Sequence, residues 1–331
     1  MDTKITTFIL KCILAALPAL VLVGFIKSCP DCYMDEEYPA WAYTKEVVYN
    51  EGEDADILIL GDSRAMADLI PEVLTKESTT CINLAVGGAT PMEMYYFYTN
   101  YLKNHDAPKT AIVMFAPFHY TYMDNYKTRT LYFNALNGSD YRELLKVAMR
   151  YDAESVLFED NAAYHLSCTL GLPDVYLPAI YNARFTGRKS DNDLRLKNLH
   201  ETKGQGYFGT ADGNSDKAYE ATYEKMEESG DSDLLTFYAQ ALYTLLSGSC
   251  SRVILIQPPM NETTYDNLND NYVNQYRSYI DDLTKDLSNI TVSTEFLRYD
   301  NEYFGDSSHL NERGAVKFSE EFAIEYSQYL H

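Results

Sequence analysis

Positive charge is scarce in this chain. Its 331 residues include 27 lysines and arginines but 49 aspartates and glutamates, which gives a formal net charge of −22 at pH 7. No run of basic residues offsets this balance locally. Because nucleic-acid binding needs Lys and Arg side chains to neutralise phosphates, the composition argues against a nucleic-acid partner.

Cysteine is scarce as well, and tryptophan occurs once. Six cysteines are too few for a disulfide-held fold, and Cys29-Pro30-Asp31-Cys32 would form only a small local disulfide in an oxidising compartment. A redox Cys-x-x-Cys pair normally opens a helix after a strand, and a zinc site needs a second pair at suitable spacing. Neither condition holds here, so the sequence predicts no metal and no cofactor.

A mostly apolar stretch at residues 5–26 is long enough to span a bilayer. Its uninterrupted core, residues 12–26, also has the length of a signal peptide. No small-x-small cleavage site follows, and Ile26-Lys27-Ser28-Cys29 resembles a lipoprotein cleavage box only faintly because of Lys27. We expect an uncleaved anchor in the first place, a cleaved signal in the second and a lipoprotein in the third.

The charges around this stretch favour a cytoplasmic N-terminus. Lys4 and Lys11 precede the apolar core, and Lys27 at its end weakens the asymmetry. The acidic residues that follow are Asp31, Asp35, Glu36 and Glu37. Since basic residues stay preferentially on the inner side, the predicted location is the cell membrane, crossed once, with the rest of the chain outside the cytoplasm.

The chain divides into an anchor at 1–27, an acidic and aromatic stalk at 28–55, and an α/β domain at 56–331. Four apolar runs in the domain are bounded by turn residues and predict strands buried on both faces, at 57–60, 80–85, 111–116 and 252–257. Strands that alternate with helices predict a doubly wound parallel sheet. The alternation stops at 118–245, which predicts a helical and loop insertion, with 184–232 as loop.

The first strand runs straight into Gly61-Asp62-Ser63-Arg64. Ser63 is therefore predicted at the carboxyl end of a central strand and near the N-terminus of a helix. Open α/β sheets bind ligands there, and free backbone N–H groups there stabilise developing negative charge. The same pattern is typical of an ordinary turn in which Asp62 or Ser63 merely caps the helix, so the tetrapeptide needs support from elsewhere.

That support lies near the C-terminus, in Asp306-Ser307-Ser308-His309, just before the last predicted helix. In a turn, a spacing of three lets the Asp306 carboxylate accept the Nδ1–H of His309 and leaves Nε2 free. A serine nucleophile needs a neutral imidazole that takes its proton and a carboxylate that fixes the tautomer. The alternative is that Asp306 caps a turn and His309 is a surface residue.

These segments together resemble the SGNH, or GDSL-type, serine hydrolases. Gly61-Asp62-Ser63 resembles the first family block, Asn83-Leu84-Ala85-Val86-Gly87-Gly88 the second and Asp306-x-x-His309 the last. The resemblance implies a flavodoxin-like doubly wound fold and the roles of nucleophile, orienting carboxylate and base for Ser63, Asp306 and His309. It also implies an oxyanion hole lined by the N–H of Gly88 or, as the next best match, Gly87.

The third family block, Gly-x-Asn-Asp, is missing. The corresponding place reads Ala116-Pro117-Phe118-His119 and holds no Asn that would donate to the oxyanion. The N–H groups of Ser63 and Gly88 would remain, with His119 or Asn83 as a substitute donor. Loss of one donor costs about two to three orders of magnitude in rate in a protease, which predicts weak hydrolysis or an acyl-transfer role.

The missing block, the anchor and the His309-Leu310-Asn311-x-x-Gly314-Ala315 ending resemble one branch of this family. Its members are membrane-anchored proteins that assist O-acylation of envelope polymers, such as the D-alanyl transfer protein of teichoic acids and the alginate O-acetylation proteins. The resemblance implies an acylated glycan or acyl donor as substrate and a multi-pass membrane acyltransferase as partner. The predicted function is an extracytoplasmic serine acyltransferase or esterase for O-acyl groups of a cell-envelope glycan, acting through an acyl-serine. The alternative is a non-catalytic protein of the same fold that binds a polymer or the acyltransferase.

Arg64 and the tyrosines of the insertion each lead to a further expectation. Arg64 stands where the family has Leu, and we expect it to turn outward on the helix surface, with the holding of an anionic group as the alternative. The tyrosines of the insertion would either form a sugar platform or pack the insertion on the sheet. They are Tyr120, Tyr122, Tyr126, Tyr132, Tyr176 and Tyr181.

Overall fold

A parallel sheet forms the centre of the fold. The computed structural model describes residues 3–75, 79–123, 125–208, 217–218, 226 and 230–330. The strands are β1 (Ile57–Gly61), β2 (Cys81–Asn83), β3 (Thr110–Met114), β4 (Arg252–Ile256), β5 (Met260–Asn261), β6 (Ile290–Val292) and β7 (Arg298–Tyr299). Five of them form a parallel sheet in the order β2-β1-β3-β4-β6, and β5 pairs with β7 in a small second sheet.

The strand order fixes where a crevice opens. The chain passes from β1 to β2 on one side and comes back to β3 on the other side of β1. β1 and β3 pair in register, with Gly61 opposite Met114, so their carboxyl ends coincide. At such a switch point the loops diverge and leave room for a ligand.

Helices cover both faces of the sheet. Every residue of β1 and β3 is buried, as their uninterrupted apolar sequences predict. One contact group consists of α3 (Ser63–Asp68), α4 (Pro71–Leu74) and α14 (Glu312–Glu325). The other includes α2 (Tyr38–Tyr49), α5 (Pro91–Asn104), α11 (Gly230–Ser249) and α13 (Asp270–Thr284). The predicted α/β class with a parallel sheet is confirmed.

The described residues form seven further α-helices. They are α1 (Thr3–Ser28), α6 (Gly138–Ala148), α7 (Glu154–Leu157), α8 (Glu159–Leu170), α9 (Pro173–Ala183), α10 (Arg188–Glu201) and α12 (Glu262–Tyr265). Except for α1 and α12, they fall between β3 and β4, where the alternation of strands and helices was expected to stop.

Local capping explains why α5 begins where it does. Thr90 caps the helix, Pro91 takes the first helical position, and the Glu93 carboxylate accepts the N–H of Thr90 at 2.9 Å. The sequence Thr90-Pro91-Met92-Glu93 by itself predicts such a capping box, and the structure confirms it. The Glu93 carboxylate is buried and also accepts the hydroxyl of Thr130 at 2.6 Å, so it ties the loop after β3 to the start of α5.

The segment 28–55, expected to be a stalk, contains a helix that packs against the domain. Its helix α2 packs against α5 and α10, with Trp41, Tyr43 and Val48 buried. Because α2 contacts helices on two sides, its apolar residues follow no single helical face. The usual pattern of an amphipathic helix is therefore absent from the sequence.

The segment between β3 and β4 is more helical than predicted. α10 lies where a loop was expected in 184–232, and its polar surface carries pairs such as Lys189–Asp193 and Lys197–Glu201. Such a surface hides the apolar period by which a helix is recognised. Of the expected loop, residues 209–216, 219–225 and 227–229 lie outside the described part. α11 packs against α5, so it belongs to the layer covering the sheet rather than to an insertion.

The N-terminal stretch forms one long helix. Within α1, the span Ile5–Ser28 contains an 18-residue window with a mean hydropathy of 2.5, which suffices for a membrane span and equally for a signal sequence. The cysteines that follow, Cys29 and Cys32, are both free thiols, so the local disulfide considered for them is not formed.

Substituting Gly61 should test the close contact between β1 and β3. A Cβ on Gly61 would collide with the carbonyl oxygen of Met114 and lie 2.6 Å from the Cβ of Ala65. We expect Gly61→Ala to lower the free energy of unfolding by roughly 1–3 kcal/mol, as overpacking of a core does. Gly138→Ala is the matched control, because a Cβ there meets nothing within 4 Å. Equal urea midpoints for the two variants would contradict the contact.

Candidate active site

Ser63 is the first residue of α3 and directly follows the turn that ends β1. Asp62 caps the helix: one carboxylate oxygen accepts the N–H of Arg64 at 2.8 Å and the other accepts the N–H of Ala116 at 2.7 Å. Asp62 is fully buried. The cap therefore fixes Ser63 relative to the ends of both β1 and β3, while the Ser63 side chain stays partly accessible.

The structure brings Ser63, His309 and Asp306 into one hydrogen-bonded chain. His309 Nε2 lies 2.7 Å from the Oγ of Ser63, and His309 Nδ1 lies 2.8 Å from a carboxylate oxygen of Asp306. With Asp306 ionised, Nδ1–H donates to it and Nε2 accepts the serine hydroxyl. This is the arrangement in which an imidazole takes a proton from an attacking serine.

The turn around Asp306 keeps its carboxylate charged. Burial alone would raise its pKa, but the hydrogen bond and charge of His309, with the N–H groups of Ser308 and His309, outweigh burial and lower the pKa to about 2. Both N–H groups donate to the second carboxylate oxygen at 2.8 Å. Asp306 is therefore ionised over the whole physiological range of pH.

A buried carboxyl that the sequence did not reveal, Asp68 at the end of α3, holds the His309 loop. Its side chain accepts the N–H of Leu310 at 3.1 Å, and its carbonyl accepts the hydroxyl of Ser319 in α14 at 3.1 Å. Burial raises the pKa of the Asp68 carboxyl well above its usual range, although the Leu310 N–H and the Arg64 charge act in the opposite direction. Asp68 thus ties α3 to the residue that follows His309.

Gly87 and Gly88 lie beside the end of β1. The N–H of Val86 donates to the carbonyl of Gly61 at 3.4 Å, which puts the glycine turn next to the turn that carries Ser63. Gly88 has φ of +72°, a conformation that glycine adopts most readily. A Cβ on Gly88 would collide with the carboxamide of Asn125, so an amide side chain stands at this turn.

Asn83, considered above as an oxyanion donor, has a structural role instead. Its side chain is fully buried, with Nδ2 donating to the carbonyl of Ala65 at 2.8 Å and Oδ1 accepting the N–H of Ala85 at 3.0 Å. Both ends of the amide are thus used within the fold. Asn83 links α3 to the end of β2 and does not present a donor to a substrate.

His119 and Arg64 both lie inside the protein. The ring of His119 is buried against the cap of α3, with Nε2 3.4 Å from the Asp62 carboxylate, and its role toward an oxyanion stays a prediction. Arg64 is 4 % exposed, and its guanidinium lies 5.8 Å from the ring centre of Phe118. The expectation that Arg64 turns outward is therefore wrong. The turn at Ser63 points this side chain under the loop after β3.

An aromatic ring covers His309. The ring of Phe208 stacks on the imidazole, with centroids 4.6 Å apart and planes 24° apart. Phe208 reaches the imidazole because the segment before it is bonded to β2 and α3. The carbonyl of Lys203 accepts the N–H of Asn83 at 2.8 Å, and the N–H of Gly206 donates to the carbonyl of Met66 at 3.2 Å. Sequence reasoning missed Phe208, since it falls in the predicted loop.

A cavity of about 430 Å³ adjoins the site and shares Gly87 and Phe208 with it. Its charged lining comes from Glu36 and Glu37, which precede α2, and from Arg195 of α10. Arg129 holds Glu37 through a bidentate ion pair, with Nε and Nη2 at 2.8 and 2.7 Å from the two carboxylate oxygens. The segment expected to be a stalk therefore forms part of the wall beside the candidate active site.

Half of the six tyrosines considered for a sugar platform are buried and serve packing. Tyr120, Tyr126 and Tyr176 are buried, and the hydroxyl of Tyr176 donates to the carbonyl of Tyr132 at 3.0 Å. The exposed members are Tyr122 and Tyr181. The packing alternative therefore describes the buried ones.

Two of the three comparisons with known proteins found no match. No family model and no curated protein matches the chain. Among solved structures, the chain is similar to one described as "a putative platelet activating factor from Streptococcus pneumonia". The similarity has 11% sequence identity and a TM-score of 0.37, and it covers 96% of this chain and 99% of the other.

The raised pKa of Asp68 predicts a pH-dependent stability. The folded state binds a proton that the unfolded state has released, so stability falls as the pH rises above the unfolded pKa of about 4 towards the folded pKa. The variant Asp68→Asn has no ionisable side chain at this position, and its side-chain amide oxygen can still accept the N–H of Leu310. We expect the melting temperature of Asp68→Asn, relative to that of the parent protein, to increase as the pH rises from 5 to 9.

The control for this series is Asp266→Asn. Asp266 is an exposed partner of Arg298, and its hydrogen bond with Arg298 lowers the pKa of the Asp266 carboxyl. Its difference from the parent should stay constant above pH 5. A constant difference for Asp68→Asn over the same range would show that the Asp68 carboxyl is ionised in the folded protein.

Proposed function

We propose that the protein is a membrane-anchored, extracytoplasmic serine esterase or acyltransferase of the SGNH type that acts on O-acyl groups of a cell-envelope glycan. The observation that carries the proposal is the hydrogen-bonded chain from Ser63 through His309 to Asp306. The chain stands at the carboxyl edge of the sheet, beside a glycine turn and a cavity. The resemblance of these segments to the family blocks supports the assignment of class.

The proposed reaction moves one proton along the hydrogen-bonded chain of Ser63, His309 and Asp306. Nε2 of His309 takes the hydroxyl proton of Ser63 as Oγ attacks the acyl carbonyl, and Asp306 stabilises the imidazolium. His309 then gives the proton to the departing oxygen, which leaves an acyl-Ser63. A sugar hydroxyl or water, deprotonated by His309 in turn, attacks the acyl group and restores Ser63. Ionised Asp306 suits this cycle, since it must hold a positive charge on its neighbour.

The oxyanion that develops when Ser63 attacks the acyl carbonyl needs hydrogen-bond donors. We assign the N–H groups of Ser63 and Gly88, with Gly87 next to them, and the carboxamide of Asn125. The close approach of Asn125 to Gly88 supports this assignment. Asn125 would then replace the donor of the missing third block from a position farther along the same loop. Preorganised donors of this kind stabilise the transition state more than the substrate.

Transfer instead of hydrolysis requires that water be kept from the acyl-serine. Phe208 covers one face of the His309 imidazole, and the adjoining cavity with Glu36, Glu37 and Arg195 offers polar groups for a sugar. The acyl donor would come from a multi-pass membrane acyltransferase, as in the relatives that the sequence resembles. α1 would hold the enzyme at the membrane where such a partner works.

A second candidate is a non-catalytic protein of this fold that binds a polymer or the acyltransferase. The missing third block favours it. The 2.7 Å contact between Ser63 and His309 speaks for the enzyme, because a binding protein has no need of an aligned proton acceptor.

Labelling with a serine-directed fluorophosphonate should separate the two candidates. We expect the parent protein to be labelled, Ser63→Ala to be unlabelled, and His309→Ala to be labelled at least about 10³-fold more slowly, because loss of a triad histidine costs a protease about 10⁶ in kcat. Ser251→Ala removes an exposed serine and should label like the parent. An unlabelled parent protein would favour the binding protein.

Removing the Asn125 carboxamide should slow the reaction without unfolding the protein. For Asn125→Ala we expect kcat/KM for a p-nitrophenyl ester to fall by about 10²–10³, as for loss of one oxyanion donor, with little change in melting temperature. Asn274→Ala, at an exposed position of α13, is the matched control. Unchanged turnover in Asn125→Ala would remove this residue from the oxyanion hole.

A further inference from the structure

The helices α8 and α9 form a hairpin whose outer surface is unusually apolar. Gly171 joins them with φ of +68°, and the N–H of Leu172 donates to the carbonyl of Ser167 at 2.9 Å, which ends α8 sharply. The inner side of the hairpin buries His165, Cys168 and Tyr176. Its outer side, hereafter the hairpin face, consists of Ala162, Ala163, Leu166, Leu170, Leu177, Pro178 and Tyr181 and continues to Phe185.

The hairpin face lacks the charge that a water-facing helix pair normally carries. Leu166 is 57% exposed, Tyr181 64% and Phe185 fully exposed. Between residues 161 and 183 only Asp174 bears a formal charge, in a chain of which 23% is charged. A contiguous exposed apolar surface of this kind marks an interaction site rather than a solvated face.

The position of the hairpin indicates what lies against it. Gly171 abuts the end of α1: a Cβ there would collide with Lys27 and lie 3.2 Å from Ile26. The hydroxyl of Tyr33 donates to the carbonyl of Ile26 at 2.8 Å, and its ring packs edge-on against Tyr176 of α9, 5.5 Å between centroids. The hairpin is thus fixed to the last turn of the helix that is long enough to cross a membrane.

The depth of that turn follows from the length of α1. The span Ile5–Ser28 has 24 residues, about 36 Å at 1.5 Å per residue, against about 30 Å of hydrocarbon. With α1 across the bilayer as proposed, Ile26 and Lys27 lie at the outer boundary, where acyl chains meet headgroups. Elements that touch them lie at the same level.

The charges that follow the hairpin face fit the same surface. Arg184 and Arg188 follow α9, and no acidic residue occurs between 175 and 190. The guanidinium of Arg184 stacks on the ring of Tyr181, which leaves an aromatic and a cation together at the edge of the apolar face. In a chain with net charge −22, this local excess of positive charge suits anionic lipid headgroups.

We infer that the hairpin face rests in the outer lipid–water interface as a second membrane contact beside α1. The inference rests on the proposed anchoring by α1. Leu166, Leu170, Leu177 and Phe185 enter the acyl boundary, Tyr181 lies at headgroup level, and Arg184 and Arg188 contact lipid phosphates. A single helix would let the domain turn about its tether, whereas two contacts fix the orientation of the domain relative to the membrane.

Quenching by spin-labelled lipid tests this contact in the full chain. The background variant carries Cys12→Ser, Cys29→Ser and Cys32→Ser, which removes the thiols that are not buried. A bimane fluorophore is attached to Leu166→Cys or Tyr181→Cys in phospholipid nanodiscs with one copy per disc. We expect doxyl-lipid to quench both positions by at least about twofold and aqueous iodide to quench them weakly. Ile324→Cys on α14, an exposed apolar position at 76%, is the matched control and should show the reverse.

Two results would overturn the inference. Quenching of positions 166 and 181 by iodide alone would show a water-exposed face, and protection from both quenchers would show that protein covers it. Resistance of the unlabelled chain to alkaline carbonate extraction from membranes tests the anchor separately. A resistant chain whose hairpin positions respond only to iodide keeps its anchor and loses the second contact.

Discussion

The buried carboxylate of Asp62 is the constraint on which the site depends. One oxygen starts α3 by capping it, and the other holds the N–H of Ala116 just after β3. Gly61 lets β1 approach β3 closely enough for this bridge, because any side chain there would strike the backbone of Met114. The cap and the glycine therefore fix the direction in which Ser63 leaves the sheet.

The partner of Ser63 comes from the other end of the chain, 246 residues away, and is held by a second set of contacts. Asp68, at the far end of α3, accepts from Leu310, and its carbonyl accepts from Ser319 of α14. The short helix α3 thus carries Ser63 at its start and supports the His309 loop at its end. One rigid element sets both sides of the 2.7 Å contact.

The sequence predicted the parts of this arrangement that depend on short spacings. Uninterrupted apolar runs predicted β1 and β3, Thr90 and Glu93 predicted the start of α5, and the spacing of Asp306 and His309 predicted their contact. Each of these depends on neighbours within a few residues, so the chain itself carries the information.

The features that sequence reasoning missed depend on distant partners. α2 has no single apolar face because it packs between two helices, and Arg64 is buried because the loop after β3 closes over it. Asn125 and Phe208 reach the site through tertiary contacts with Gly88 and His309. No local sequence pattern distinguishes Asn125 or Phe208 from ordinary loop residues.

An acyl-serine is the intermediate on which the account depends. The direct measurement is mass spectrometry of the protein quenched in acid during turnover of p-nitrophenyl acetate, followed by peptide mapping. The account predicts an acetyl group on the peptide that contains Ser63, and none on that peptide in His309→Ala at the same time point. An acetyl group found only on other residues, or ester turnover with no acyl-protein even at the earliest times, would contradict it.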